Sequence, residues 1–163
     1  MATAVGAVLV VAQLTRAVHQ ARERGRDERR EHTITIYLET LDSRRKIKGD
    51  ELPDDRDAEA ISELIDTLLS AEQEGQEREP EIASARRALT QYLSFWEAVA
   101  LGVKQGVFDF ETLRMQAAGH VQALWANYEP WIRSRGEKYG APLYEHLRWL
   151  AESFRLGRPL GNR

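Results

Sequence analysis

The chain has 163 residues and no cysteine. That absence removes disulfides, thiolate metal sites and cysteine nucleophiles together, and only mildly favours a reducing compartment. Histidine is scarce, with four in all. Three residues before His19, His32, His120 and His146 stand Arg16, Arg29, Ala117 and Leu143, so the Glu-x-x-His unit of a di-iron bundle is missing. No His-x-x-x-His pair exists, and Glu28 with His32 supplies two ligands where a metal site needs more. There is no Gly-x-Ser-x-Gly, no Gly-x-Gly-x-x-Gly and no phosphate loop. Strand signals are nearly absent too: T-I-T-I-Y alternates over five residues but lies inside a helical period. Proline is missing from residues 1–52. No catalytic residue, cofactor site or metal site is predicted, and no small-molecule ligand is evident.

What is present is helical patterning and uneven charge. Hydrophobic residues make up 42% and charged residues 30%, the balance of a folded globular chain rather than a disordered one. The length suits one domain with a real core. Net charge is −3 overall, but residues 1–48 hold ten Arg/Lys against six Asp/Glu, while 49–163 hold thirteen against twenty. Residues 50–81 alone carry thirteen acids against Arg56 and Arg78. A basic arm therefore precedes an acidic stretch, which reads most simply as solvated helix faces.

The N-terminus opens with fifteen uncharged residues, Met1 to Thr15, and then come Arg16, Arg22, Arg24, Arg26, Arg29 and Arg30. As a helix this run covers about 22 Å, short of a ~30 Å hydrocarbon core, and letting Arg16 snorkel extends it to about 27 Å. The charges lie after the apolar run rather than before it, which speaks against a signal peptide. Three readings stay open: a short membrane anchor, an oligomerising or core helix, and an interfacial helix. In the membrane readings Val8, Leu9, Val10, Val11 and Leu14 touch lipid and Arg16, Arg22 and Arg24 meet headgroups. The basic flank would then keep the rest of the chain on the cytoplasmic side, at the inner face of the membrane. Nucleic acid is a weaker partner for the arm, because Glu23, Asp27, Glu28 and Glu31 dilute it.

Ile34, Tyr37, Leu38 and Leu41 continue one helical face, so a long helix is predicted over about 3–47, with Gly25 its weak point. Gly49 and Pro53 break the pattern, and Asp54 or Asp55 caps the next helix, over about 56–74 with Ile61, Leu64, Ile65 and Leu68 inward. E-Q-E-G-Q-E-R-E-P is a loop. Pro80 starts a third helix whose apolar face, Ile82, Ala85, Leu89, Tyr92, Trp96, Val99, Ala100 and Val103, is broad enough to be packed on more than one side. Phe95 widens that face. Gly102 lies on this flank and admits a neighbouring helix, at a cost of about 1 kcal/mol relative to alanine. Gly106 closes the helix in the left-handed conformation, and Asp109 caps a fourth helix over about 110–127. There Phe108 and Leu113 stand at the positions of a hydrophobic staple, and Leu113, Ala117, Val121, Leu124 and Tyr128 face inward. Pro130 restarts a short helix, Gly136 and Gly140 bracket a loop, and Pro142 begins the last helix, with Leu143, Leu147, Leu150 and Phe154 inward. Residues 156–163 read as a frayed tail. His120 is a core or boundary histidine, the four tryptophans are core, and Glu97 pairs with Arg135 or Arg133.

The fold class predicted is all-α: a long N-terminal helix, 1–48, and a compact bundle of four to five helices over 54–155. The segment Y-L-S-F-W-E-A-V-A-L-G-V-K-Q-G-V-F-D from Tyr92 to Asp109, with Trp125, P-W-I-R-S-R from Pro130 to Arg135 and Y-E-H-L-R-W-L from Tyr144 to Leu150, resembles a bacterial family of small helical proteins known only as a domain of unknown function. The resemblance covers about 85–154. It implies an all-α fold and supports an N-terminal anchor helix, and it brings no catalytic residues. The functional expectation is a non-enzymatic helical interaction or scaffold protein, tethered to a membrane or oligomerised through its first helix, with a protein partner or self-association. The alternatives are a partner-dependent effector or regulator, for example in phage defence, and a nucleic-acid-binding protein using the arginine-rich arm.

Overall fold

Elements form where the apolar period and the capping residues coincide. A computed structural model describes residues 25–35, 37, 51–55, 57–76 and 78–161, and among these there is no strand. The predicted N-terminal helix lies mostly outside the described residues, as do Val8, Leu9, Val10, Val11, Leu14, Arg16, Arg22 and Arg24. Within them, residues 25–35 are helical (α1). Of the face predicted there, Ile34 is 41% exposed and Tyr37 half-buried, while the buried residue is Thr33. The reason is hydrogen bonding: Thr33 Oγ1 donates to Arg29 O at 2.6 Å and accepts from Asp109 N at 2.8 Å.

The next helix, α2 (Ala58–Gln73), is capped by Asp57, whose carboxylate accepts from Ala60 N at 3.0 Å. Asp54 and Asp55 do not take that place, and Asp55 turns to Tyr92 instead. Ile61, Ile65, Leu68 and Ala71 are buried, with Glu59, Glu63 and Asp66 in solvent. The polar loop ends where Pro80 opens α3 (Pro80–Lys104), the longest apolar surface of the body. Leu89, Tyr92, Leu93, Trp96 and Ala100 have at most 1% of their surface exposed.

At the end of α3 Gly106 has φ +73°, its N–H donates to Val103 O at 3.0 Å, and Val107 N–H donates to Gly102 O at 2.9 Å. This pair of bonds satisfies carbonyls that would otherwise be orphaned, and the left-handed residue is best a glycine. Asp109 then caps α4 (Phe110–Tyr139), accepting from Thr112 N at 2.9 Å and Thr112 Oγ1 at 2.7 Å. Burial would raise its carboxyl, but the Thr112 bonds and the charges of Arg30 and Arg26 outweigh that and hold it below its ordinary value. Gly102 is buried as predicted for a close contact, but its neighbour is the Phe108 ring of the joint, not a helix. A Cβ at residue 102 would fall 2.5 Å from Phe108 Cε2.

Two sequence expectations fail in α4. Pro130 lies inside one continuous helix rather than restarting another, and Gly136 is helical, so the loop shrinks to 140–144. Proline in a helix interior costs about 3 kcal/mol, and burial of Leu124, Tyr128, Trp131 and Ile132 around it offsets that. The last helix, α5 (Glu145–Leu156), starts three residues after Pro142 and buries Leu147, Leu150, Ala151, Ser153 and Phe154. It packs against both α3 and α4, while α2 covers α4 and part of α3. The tail predicted to fray returns to this helix: Leu160 N donates to Ser153 Oγ at 3.0 Å, and Trp149 Nε1 donates to Leu160 O at 3.0 Å.

Candidate functional site

The side chains with chemical capability gather in three places, each joining helices. The first is a polar cluster between the turn before α2, α3 and α4. Tyr92 OH donates to Asp55 Oδ2 at 2.7 Å and lies 3.0 Å from His120 Nε2. The phenol has one proton to give, so with Asp55 as its acceptor the imidazole Nε2–H donates to the phenol oxygen. His120 Nδ1 is 3.4 Å from the same carboxylate oxygen. Asn127 Nδ2 donates to Asp55 O at 3.4 Å, and Trp96 sits against the imidazole with ring centroids 5.0 Å apart. Two buried donors close by, Trp96 Nε1 and Tyr128 OH, have no hydrogen-bond partner among the described residues. Burial first, and the charge of Asp55 second, push the Tyr128 phenol well above its ordinary value. The cluster can relay a proton among Asp55, Tyr92 and His120, but Tyr92 has 0% exposure, so a substrate would meet only the edges of Asp55 and His120.

The second place corrects the expectation for Glu97. Its partner is neither Arg133 nor Arg135 but the first turn of α5. Glu97 Oε2 accepts from Leu147 N at 2.8 Å, and Oε1 accepts from His146 N at 3.2 Å and lies 2.7 Å from His146 Nδ1. The residue at the usual capping position, Tyr144, has φ 54° and caps nothing with its side chain. A carboxylate on α3 therefore does the capping for a helix about fifty residues away. Proximity in sequence gives no hint of it, because the donors are backbone groups.

The third place holds Arg135. Its Nη1 donates to Glu72 Oε1 at 3.0 Å and its Nη2 to Tyr139 OH at 2.6 Å, with the guanidinium 4.9 Å from the Tyr139 ring and 5.8 Å from that of Trp131. Lys138 Nζ binds the same Glu72 oxygen. Burial would raise the Glu72 carboxyl, but hydrogen bonds from Lys138 and Arg135 prevail and lower it. Arg135 reaches Glu72 rather than Glu97 because α2, not α3, supplies the acid beside this end of α4.

Around the joint, Gly102, Gly106 and Asp109 receive α1. Asp109 N–H bonds Thr33, Tyr37 OH donates to Gln116 O at 3.2 Å, and His32 stacks on Phe108 with centroids 6.0 Å apart. Among the described residues, no group of three or more His, Cys, Asp or Glu could hold a metal ion. Among the same residues, no helix is long and apolar enough to cross a membrane.

These features define an all-helical domain whose polar residues tie one helix to the next. Residues 1–154 match the family described as domain of unknown function (DUF4760), and the chain belongs to that family. Neither the curated proteins nor the solved structures contain a match to it.

Proposed function

We propose that this chain is a non-enzymatic interaction or scaffold protein. Its N-terminal segment tethers it to a membrane or pairs it with a second copy, and its body offers a surface to a protein partner. The observation that supports this reading is the thinness of the α1 seat. Over 26–35 only Thr33 is buried, and every other described residue of that span is exposed. Ile34, Val107 and Met115, each within two residues of a docking bond, are 41%, 46% and 73% exposed. Single exposed apolar side chains are ordinary, but three around one weakly covered seat mark a surface that a partner can bury.

The tether is tested by flotation of the full chain with vesicles of phosphatidylcholine and phosphatidylglycerol, against a version starting at Arg29. Flotation of the full chain alone supports anchoring. The surface is tested by light scattering and by pull-down with Ile34→Glu and Met115→Glu. A wild-type chain that is monomeric, stays with the soluble fraction and captures the same proteins as both variants would defeat the reading.

A further inference from the structure

An open groove of about 450 Å³ runs between the first half of α3 and the end of α4. Arg86, Arg87, Arg135 and Lys138 line it, with Thr90, Gln91 and Tyr139. Residues 49–163 hold only thirteen Arg/Lys against twenty acids, so gathering four cations on one groove runs against the charge of the body. Among the described residues that line the groove none is acidic, and Glu72, which Arg135 and Lys138 share, brings a single carboxylate to its edge. Like charges gathered this way repel one another, and an anion placed among them relieves that repulsion.

We infer that this groove binds a small molecule carrying two or more phosphate groups. Arg86, Arg87 and Lys138 take the phosphate oxygens, and Arg135 forms a fixed wall. Arg135 suits that part because its side chain is only 12% exposed and is held by Glu72, Tyr139 and the Trp131 ring. A guanidinium already immobilised loses little entropy on meeting a ligand. Arg87 is exposed, so its long side chain can close over the ligand. Thr90 and Gln91 add neutral donors on the α3 side, and the Tyr139 ring, 59% exposed, gives a flat face at the mouth. The volume exceeds what one inorganic phosphate fills and falls within the usual range for small-molecule sites, about 300–1,000 Å³. Sequence motifs miss it because the cations come from two helices and no glycine-rich loop takes part.

The test is calorimetric titration of the intact chain with inorganic tripolyphosphate and with ATP, at about 50 and about 200 mM salt. Sedimentation with phosphatidylcholine vesicles, with and without a phosphatidylinositol phosphate, forms the second arm. Tripolyphosphate or ATP should bind at low salt and weaken as salt rises. Arg86→Gln with Arg87→Gln should weaken binding at least about tenfold, and Lys138→Gln by a few-fold, each with an unchanged melting temperature. Arg133→Gln with Arg148→Gln, on a different groove, should leave it unchanged. Binding confined to the phosphoinositide vesicles, and lost in the Arg86/Arg87 variant, assigns the phosphates to a lipid headgroup. Failure of all three probes to bind the wild-type chain overturns the proposal. So does equal weakening by the control pair, which would make the attraction a property of diffuse charge.

Discussion

Replacing Glu97 with alanine removes the capping group of α5 without touching α5 itself. Three donors lose their acceptor: the backbone N–H groups of His146 and Leu147, and His146 Nδ1. Loss of a helix cap costs about 1 kcal/mol, and loss of a hydrogen bond to a charged group about 1.5–3 kcal/mol. Glu97 and His146 are 25% and 32% exposed, so solvent recovers part of this, and about 3 kcal/mol is a fair total. For a chain of this size each kcal/mol lowers the melting temperature by about 2–4 °C, so Glu97→Ala should melt about 6–12 °C below wild type. Glu97→Gln keeps one acceptor oxygen and should lose roughly half as much. His146→Ala leaves both backbone N–H groups capped and should lose less than Glu97→Ala. Thermal melts by circular dichroism measure the totals, and amide exchange reports the location, since protection should fall first at His146 and Leu147. A melting temperature within about 2 °C of wild type for Glu97→Ala, or a His146→Ala loss as large, would show that the carboxylate does not hold the start of α5.

The same geometry sets four other outcomes. Gly102→Ala drives a Cβ into the Phe108 ring and should cost about 1–2 kcal/mol; combined with Phe108→Ala the two losses should be less than additive in a double-mutant cycle. Tyr128→Phe removes a buried hydroxyl without a partner and should be neutral or stabilising by up to about 1 kcal/mol, so a clear drop in denaturant midpoint would contradict that assignment. Pro130→Ala restores a backbone donor inside α4 and should raise stability by about 1–3 kcal/mol, measured by urea unfolding. Asp109 and Glu72 both have carboxyls lowered from ordinary values of 3.8 and 4.5. Their stabilisation is therefore complete above those values and lost as pH falls through the lower folded-state values, so melting temperature should hold down to about pH 5 and drop below about pH 4. Asp109→Asn, which still caps, should flatten that drop with little loss at neutral pH.

How far the sequence carries depends on what kind of information each feature needs. The α3–α4 joint is legible because its signals are local: Gly106 at the left-handed position and Asp109 three residues before Thr112 determine the stop and the start by themselves. The broad face of α3 is legible because burial follows the 3.6-residue period. Pro130 misleads because local propensity points to a break, whereas packing of Tyr128, Trp131 and Ile132 decides for a continuous helix. Asp54 and Asp55 mislead as caps because three aspartates stand within four positions, and only register relative to Ala60 chooses Asp57. Glu97 and Arg135 read correctly as paired charges and wrongly as partners of one another. The period of a helix gives the direction a side chain leaves it, but not which neighbour lies there.

That distinction explains why the polar residues of this fold look idle in the sequence and engaged in the structure. Asp55 serves Tyr92, Glu97 serves the first turn of α5, Glu72 serves Arg135 and Lys138, and Asp109 serves Thr112. Each link crosses between elements or closes a helix end, so each stabilises an arrangement rather than leaving a reactive group exposed. A body built this way commits these carboxylates to structure, and it gathers its cations where two helices bring three arginines and a lysine to one groove. The groove between α3 and α4 is that place, and the seat of α1 is its apolar counterpart. Binding, at one surface or at both, is the activity for which this arrangement supplies the means.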